Sequence, residues 1–274
     1  MKIKNHLLFN DDDSQVSFKL TPNRRGEYVP QYLIMHYTAA TTAESAISWF
    51  QSPIAEASAH LVIARDGFVT QFAPFNIVTW HAGESKWRGL VGLNKFSIGI
   101  ELVNGGRLQK SGGRWVCSVD KRNISDSDVL IATHKNDLKE AGWHEYTEKQ
   151  MEVAVEIAAL LVRTYNLKDV LGHEDISPIR KSDPGPAFAM GSFRTKAMGR
   201  QDENLDKFKT ATELNIRMGA GSNFQTLTDK PLPPETRVLV LKTEGNWSFV
   251  EVLDTVHGVM DLEGWVSSKF LTHV

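Results

Sequence analysis

The sequence predicts two domains of different class, an α/β domain over residues 1–190 and a small all-β domain over residues 211–274. Strand-like apolar runs alternate with helical periodicity in the first part, which is typical of α/β proteins. Short β-like runs separated by turn clusters fill the last part, which favours a small barrel. Residues 191–210 are polar, charged and without periodicity, and they form the predicted linker.

The elements of the first domain follow from apolar spacing and turn signals. Residues 31–37 are almost continuously apolar, as in a strand buried on both faces, and residues 96–103 are a second such run around one carboxylate. Helical spacing predicts helices over 43–50 and 147–166. Residues 59–72 form a predicted hairpin, because the Asp-Gly pair at its centre is a strong turn signal.

Residues 104–146 interrupt this regular pattern. They contain two glycine pairs and a charged segment, and we interpret them as a peripheral excursion with a helix over 127–141. After the excursion, Thr147 and Gln150 have the spacing of a capping box, in which each side chain accepts a hydrogen bond from the other residue's backbone N–H.

Composition excludes several classes of function. The 274 residues are 41% hydrophobic and 23% charged, as in an ordinary globular protein. The formal net charge of −2 gives no basic field that would indicate nucleic-acid binding. No apolar run approaches the roughly 20 residues of a membrane span. Cys117 is the only cysteine. This excludes an intrachain disulfide and a Cys-only zinc site. We expect Cys117 to be a buried bystander.

We expect no secretion signal at the N-terminus. Its basic start is followed by about three apolar residues and then by acidic residues 11–13, whereas a signal needs an apolar core of roughly 7–15 residues. We therefore expect synthesis in the cytoplasm. Lysis, a specialised secretion apparatus or a signal removed earlier would still let the protein leave the cell.

Potential metal ligands gather at two places in the first domain. His36 stands at the C-terminal end of a predicted strand, and residues 172–186 combine a histidine, several carboxylates, a lysine and three prolines that stiffen the loop. Two histidines and one aspartate are a ligand set that catalytic zinc uses. Spacing alone leaves the alternative open, because a histidine at a strand end is more often packed or solvent-facing.

Several motifs in a fixed order resemble a known family. They are His36-Tyr37-Thr38-Ala39, Ser58 to Gly67, Trp80-His81-Ala82-Gly83, Asn94 to Glu101, and Gly172-His173 with Asp183-Pro184-Gly185-Pro186. Over about residues 30–190 the chain resembles the zinc-dependent N-acetylmuramoyl-L-alanine amidases, which include AmpD-like recycling amidases, phage amidases and peptidoglycan recognition proteins. The resemblance implies a mixed central β-sheet flanked by helices.

The resemblance also implies the roles of five residues. His36, His173 and Asp183 correspond to the ligands of one zinc ion, a set that leaves a coordination position open. Glu101 corresponds to the catalytic carboxylate, and its apolar neighbours favour the raised pKa that a general base needs. Lys181 corresponds to a basic residue that stabilises the oxyanion.

The resemblance also makes four residues candidates for substrate contact, namely His60, Trp80, His81 and Asn94. Some relatives have a catalytic tyrosine immediately before the position of His60, but this chain has Ala59 there, so Glu101 must act as the base. For His60 a structural role is an equal alternative, and Trp80 could instead belong to the core.

The last part of the chain resembles bacterial SH3 domains over about residues 211–272. Trp247 and Phe249 are candidates for binding the cell wall, whereas for Trp265 we favour a place in the barrel core. An SH3-like fold does not by itself establish wall binding. The domain could also cover the catalytic groove or mediate a dimer, and the sequence indicates no oligomeric state.

The resemblance implies a zinc-dependent hydrolase that cuts the amide bond between N-acetylmuramic acid and L-alanine in peptidoglycan or muropeptides and releases the stem peptide. One alternative is a non-catalytic muropeptide-binding module. Another is a zinc hydrolase for a different acyl-peptide amide. The missing signal favours fragment recycling or lysis-dependent release, whereas the SH3-like domain favours polymeric wall as the substrate.

Overall fold

A six-stranded sheet forms the centre of the larger of two units in the computed structural model, which describes residues 1–199, 207–259 and 262–274. The larger unit comprises Met1–Ile131 and Ala141–Gly199. The smaller unit comprises Ala132–Glu140 and the described part of Arg200–Val274. Residues 132–140, which fall in the predicted excursion, thus belong to the smaller unit.

The strands and helices up to residue 199 are mostly short. They are β1 (Lys2–Lys4), β2 (Leu7–Phe9), β3 (Ser17–Phe18), β4 (Arg24–Glu27), β5 (Tyr32–Tyr37), α1 (Ala43–Gln51), β6 (Leu61–Ile63), β7 (Val69–Gln71), β8 (Ile77–Thr79), β9 (Lys86–Trp87), β10 (Leu90–Val91), β11 (Ser97–Leu102), β12 (Leu108–Ser111), β13 (Arg114–Cys117), β14 (Asn123–Ile124), β15 (Val129–Thr133), β16 (Glu140–His144), α2 (Glu148–Tyr165), β17 (Asp169–Gly172), α3 (His173–Ile176) and α4 (Met190–Ala197).

The central sheet has the strand order β17-β5-β11-β6-β7-β3. Strands β17, β5, β11 and β6 are parallel to one another, and β7 is antiparallel to β6, so the mixed sheet expected from the sequence is confirmed. The register sets Glu101 beside His36 and Gly172 beside Met35. The carboxyl ends of three parallel strands therefore meet at one edge, which is where α/β sheets commonly carry their sites.

Helix α2 covers the sheet with one apolar face. Its buried residues include Val153, Ile157 and Leu161, whose spacing puts them on one side of the helix. The Thr147 side chain caps the helix by accepting a hydrogen bond from the Gln150 backbone N–H. The Gln150 side chain does not return this bond, because its amide donates to the carbonyls of Ile63 and Val103. Among the described residues no helix is both long and apolar enough to cross a membrane.

The predicted linker begins too early. Helix α4 occupies its first residues, and the side chains of Phe193 and Ala197 join the core of the larger unit beside Phe188. The guanidinium of Arg194 also donates to the Val170 carbonyl. The polar composition misled the prediction, because only a few apolar residues of this helix are needed for docking. Residues 200–206 of the predicted linker lie outside the described residues, and residues 207–210 form a strand.

The helix predicted within the excursion is also wrong. Residues 129–133 and 140–144 are the paired strands β15 and β16. The β-branched residues Val129, Ile131 and Thr133 alternate along β15, and such residues lose less side-chain freedom in a strand than in a helix. Strands β12, β13 and β14 form a second small sheet in the excursion. Cys117, at the end of β13, is buried, as expected.

The smaller unit contains a five-stranded antiparallel sheet. Its strands are β18 (Lys207–Thr210), β19 (Arg237–Glu244), β20 (Trp247–Val252), β21 (Glu263–Ser267) and β22 (Leu271–His273), in the order β21-β20-β19-β18-β22. Aliphatic residues such as Ile216, Val238 and Val250 form its core. Trp265 is buried as well, but against Phe249 and not within this aliphatic cluster, so the expected core position is not confirmed. The all-β class of this part of the chain is confirmed, and its likeness to SH3 domains stays a prediction.

Candidate metal centre and active-site cleft

Three potential ligand atoms converge at the carboxyl edge of the central sheet. The Nδ1 atoms of His36 and His173 and the Oδ2 atom of Asp183 lie 2.9 Å from one another in each pairing. All three residues are buried. The three residues that the family resemblance implies as ligands, which are distant in sequence, are therefore brought together by the fold.

The local structure explains why these side chains meet. His36 is the fifth residue of β5, and His173 follows directly after β17, the neighbouring parallel strand. The loop that carries Asp183 is held back against His173, since the Glu174 backbone N–H donates to the Asp183 carbonyl at 2.9 Å. The Tyr146 hydroxyl donates to the Pro184 carbonyl and ties down the same loop.

Hydrogen bonds on the far side of each ring fix the tautomers of the two histidines. His173 Nε2 lies 3.0 Å from the Ala82 carbonyl oxygen, which can only accept, so the proton is on Nε2. His81 Nε2 lies 3.1 Å from the Ser97 carbonyl and donates to it in the same way. His81 Nδ1 is therefore an acceptor, and it receives the Nε2 proton of His36 at 3.0 Å.

The consequence is that three acceptors face one another in a buried space. With both Nε2 atoms protonated, His36 Nδ1 and His173 Nδ1 present lone pairs toward each other and toward the Asp183 carboxylate. Burial, together with the nearby His173 ring, lowers the pKa of His36 to about 4, which keeps this imidazole neutral. A cation satisfies such a set, and two imidazole nitrogens with one carboxylate oxygen suit zinc.

Glu101 lies next to these ligands on the adjacent strand β11, paired in register with His36. The residue is half-buried, and its Oε2 atom is buried without a hydrogen-bond partner among the described residues. Burial raises the pKa of Glu101 well above its usual range, the Asp183 carboxylate adds to the rise, and the Lys181 ammonium opposes it. A carboxyl group whose pKa is raised in this way holds a proton more readily than an exposed carboxyl group, as a general base needs.

A cleft of about 840 Å³ opens above these groups. Its lining includes Glu101, Lys181, Trp80 and His81, so four residues predicted for catalysis or substrate contact border the same space. Trp80 is half-buried there, and the guanidinium carbon of Arg25 lies 5.6 Å from the centre of its ring. Trp80 is therefore a wall of the cleft rather than a core residue.

His60 is not among the lining residues of the cleft, and of the two roles that the sequence left open for it the geometry favours the structural one. The residue is 0% exposed. Its Nδ1 accepts the Gly99 backbone N–H at 3.1 Å, and its Nε2 donates to the Ile77 carbonyl at 2.9 Å. Because the ring is enclosed and both nitrogens are engaged, His60 is a structural residue that joins β8 and β11.

Asn94 is likewise not a lining residue of the cleft, and its side chain binds backbone groups of the protein instead. Its Oδ1 atom accepts from the backbone N–H groups of His81 at 3.0 Å and of Ala82 at 2.7 Å. This side chain therefore shapes the segment that supports both histidine ligands, through the His81 ring and the Ala82 carbonyl.

Trp49 and Arg180 are among the cleft residues that sequence reasoning missed. Trp49 is 55% exposed on the outer face of α1, and a large apolar residue on the polar face of a helix was the available signal. Arg180 lies in the loop that carries Lys181, and its Nη2 donates to the carbonyls of Ala82 and Glu84, each at 3.0 Å. No pattern in the sequence indicated that pairing.

A mixed sheet that carries two imidazoles, a buried carboxylate and a separate protonatable carboxyl at one edge defines a candidate metal-dependent hydrolase domain. The family comparison gives the second step of the identification. Residues 26–186 match the family model described as Amidase_2, N-acetylmuramoyl-L-alanine amidase, and this chain belongs to that family.

Individual relatives agree with this assignment. The chain is 34% identical over 139 residues to the 1,6-anhydro-N-acetylmuramyl-L-alanine amidase AmpD of Escherichia coli K12, covering 50% of this chain and 56% of that protein. It is 26% identical over 176 residues to the N-acetylmuramoyl-L-alanine amidase AmiD of the same organism, covering 61% and 53%. The chain thus spans about half the length of the curated relatives it matches.

Among solved structures, a selenomethionine derivative of AmpD has a similar fold. The TM-score is 0.51 and the sequence identity is 24%, with 72% of this chain and 99% of that chain covered. At this identity the likeness supports the fold alone.

Proposed function

We propose that this chain hydrolyses the amide bond between N-acetylmuramic acid and L-alanine in peptidoglycan or muropeptides and releases the stem peptide. Family membership and the names of the relatives AmpD and AmiD support this reaction. The observation that carries it is the convergence of three acceptor atoms at 2.9 Å from one another, with Glu101 on the next strand, whose Oε2 has no hydrogen-bond partner in the described part of the chain.

We assign His36, His173 and Asp183 as the residues that hold the metal, with zinc as its identity. Zinc bound by such a set supplies a Lewis acid that polarises a carbonyl and acidifies water. The second contacts of the histidines favour this assignment, because metal-binding histidines commonly donate their other N–H to a carbonyl or another fixed acceptor.

The chain's own residues divide the proton and charge movements between them. Glu101 takes a proton from the attacking water and delivers it to the nitrogen of the leaving amine when the C–N bond breaks. The Lys181 ammonium, which borders the same cleft, stabilises the negative charge that develops on the amide oxygen. The products are the free lactyl carboxylate on the sugar and a peptide with an L-alanine amino terminus.

Two further parts of the function are proposals of the same kind. Trp247 and Phe249 lie two residues apart on β20, on the same face, and the Phe249 ring centre lies 5.4 Å from that of Trp265. We propose that this aromatic group in the smaller unit binds the cell wall, as a bacterial SH3-like domain would. The second proposal follows from that binding: the chain acts at the cell wall.

The alternative of a binding module without catalysis is less well supported. Loss of a ligand or of the general base is the expected mark of such a module, and this chain has all three ligand residues together with Glu101. Hydrolysis of a different acyl-peptide amide is tested by the same experiment as the main proposal.

Mass spectrometry of the products tests the proposal. Purified peptidoglycan and an anhydro-muramoyl-tripeptide are incubated with the protein in zinc, in chelator and as the Glu101→Gln variant. We expect free stem peptide with an L-alanine amino terminus only from the wild-type protein with zinc, and neither with chelator nor from the Glu101→Gln variant. Glu152→Gln, at an exposed position on α2, is the matched control and should retain full activity. Zinc binding without cleavage of either substrate would contradict the amidase proposal.

A further inference from the structure

Two backbone carbonyls near the proposed ligand His173 each accept two side-chain hydrogen bonds. The Ala82 carbonyl oxygen lies 3.0 Å from His173 Nε2 and 3.0 Å from Arg180 Nη2. The Glu84 carbonyl oxygen lies 3.0 Å from the same Nη2 atom and 2.9 Å from the Ser177 hydroxyl. A carbonyl oxygen has two lone pairs and Nη2 carries two protons, so all four hydrogen bonds can form at the same time. His173 and Arg180 are therefore connected through one carbonyl group.

Gly83 allows both carbonyls to reach one nitrogen atom. Its φ angle of +56° lies in the left-handed region, which residues with a side chain rarely adopt. A Cβ atom at Gly83 would lie 2.9 Å from Arg180 Nη2. The guanidinium therefore occupies the space that a side chain at position 83 would need. A substitution at Gly83 would displace the guanidinium from the two carbonyls without changing Arg180 itself.

The backbone of the same loop connects Arg180 with Lys181, which borders the cleft. The backbone N–H groups of Arg180 and Lys181 both donate to the Ser177 carbonyl, at 3.0 and 2.9 Å. The Ser177 backbone N–H in turn donates to the His173 carbonyl at 3.0 Å. The loop from His173 to Lys181 is thus held together by its own backbone, and the Arg180 side chain fixes this loop to the segment 82–84.

We propose that Arg180 is a positioning residue, which holds the Ala82 carbonyl against His173 and keeps Lys181 in a fixed place relative to that ligand. The role rests on the proposed function, in which His173 binds the metal and Lys181 stabilises the oxyanion. A charged donor makes a stronger hydrogen bond than a neutral one, so the guanidinium is well suited to fix a carbonyl group. Both protons of Nη2 are used on the protein backbone, which is the arrangement of a structural support.

Zinc affinity and hydrogen exchange test this role without turnover. Arg180→Ala should raise the Kd for zinc about three- to tenfold, less than the loss of a direct contact to a ligand does, because the Ala82 carbonyl itself remains. In the zinc-loaded full chain, NMR should show that the Nε2 proton of His173 exchanges with solvent several times faster than in the wild type. Arg180→Lys, which keeps the charge without the planar fork, should recover only part of both values.

Gly83→Ala displaces the guanidinium in an independent way. It should raise the Kd for zinc in the wild type but have a much smaller effect in Arg180→Ala, where no guanidinium is left to displace. Gly89→Ala is the matched control, because Gly89 also has a positive φ, +85°, and nothing lies within 4 Å of an added Cβ. Arg24→Ala is the second control, since Arg24 Nη1 donates to the Thr21 carbonyl and neither residue lines the cleft. Both controls should leave the Kd unchanged.

Kinetics at saturating zinc separate positioning from substrate binding. Arg180→Ala should lower kcat about tenfold through the displacement of Lys181 and leave KM within about twofold. A raised KM with unchanged kcat, zinc affinity and exchange would overturn the role and show that Arg180 binds the substrate. Additive effects of Gly83→Ala and Arg180→Ala on the Kd for zinc would overturn it as well. If the wild type releases no stem peptide, the proposed function fails, whereas zinc affinity and exchange still decide whether Arg180 positions His173.

Discussion

His81 Nδ1 lies 3.0 Å from Nε2 of His36, and this contact fixes which ring nitrogen of His36 carries the proton. His81 Nδ1 can only accept in this contact, because the proton of the His81 ring is on Nε2 and is donated to the Ser97 carbonyl. His36 must then carry its proton on Nε2 and turn the Nδ1 lone pair toward His173 and Asp183, the other two proposed ligands. The role of His81 in this proposal is to position His36, and its ring also borders the cleft.

Removing the His81 ring should weaken metal binding. We expect His81→Ala to raise the Kd for zinc by about 10- to 100-fold, as loss of contacts behind a ligand usually does. His81→Gln should lose less, because its amide oxygen can still accept the His36 proton. Competition with a zinc chelator measures both values. His6→Ala removes an exposed histidine and should leave the Kd unchanged. Equal zinc affinity of His81→Ala and the wild type would contradict the role of His81 in positioning His36.

Gly99 should be needed for the same reason. A Cβ atom at this position would lie 2.4 Å from Cγ of His81, so the ring would have to move. We expect Gly99→Ala to cost about 1–3 kcal/mol of folding free energy through overpacking and to weaken zinc binding as well. Denaturant unfolding and chelator competition measure the two effects. Gly26→Ala, where nothing lies within 4 Å of the added atom, is the control. Unchanged zinc affinity in Gly99→Ala would show that the ring tolerates displacement.

Buried neutral histidines predict a loss of stability in acid. Burial lowers the pKa of His60 to about 3, and burial with the nearby Arg65 lowers the pKa of His144 to about 4. In the unfolded chain both rings protonate near pH 6.5, so the unfolded state binds more protons below that pH. Their contribution to stability is therefore complete above pH 6.5 and is lost progressively as pH falls toward 3.

Thermal unfolding of the metal-free protein checks this expectation. The Tm should fall steadily from pH 6.5 to pH 4, and the Cε1–H resonance of His60 should not titrate across that range. A Tm that is flat between these values, together with a His60 resonance that titrates near pH 6.5, would show that the ring is not buried in its neutral form.

The sequence predicted the parts of the fold that depend on strong local patterns. The apolar run at β5 and the periodic face of α2 carry enough signal to be recognised without tertiary information. Helix α4 was missed because a helix of eight residues is stabilised by docking, chiefly of Phe193, and not by its own propensity. The strands β15 and β16 were missed because a charged segment hides the alternation of β-branched residues.

The residues of the candidate site were likewise predicted only in part. Family motifs implied His36, His173, Asp183 and Glu101, and the fold brings all four together. The same motifs also suggested His60, whose position in sequence cannot reveal that both ring nitrogens are used inside the protein. The role of the His81 ring depends on its hydrogen bonds with His36 and with the Ser97 carbonyl, and sequence spacing does not reveal such contacts.

Zinc stoichiometry in the wild type and in Asp183→Asn tests the metal centre most directly. Metal-free protein is titrated with zinc while metal content and stem-peptide release are followed together. The wild type should bind one equivalent of zinc, and the rate of release should rise in proportion up to that point. Asp183→Asn should remain folded, bind zinc much more weakly and release no peptide. Full zinc binding by Asp183→Asn, or peptide release by the metal-free wild type, would contradict the assignment of His36, His173 and Asp183 as the catalytic metal site.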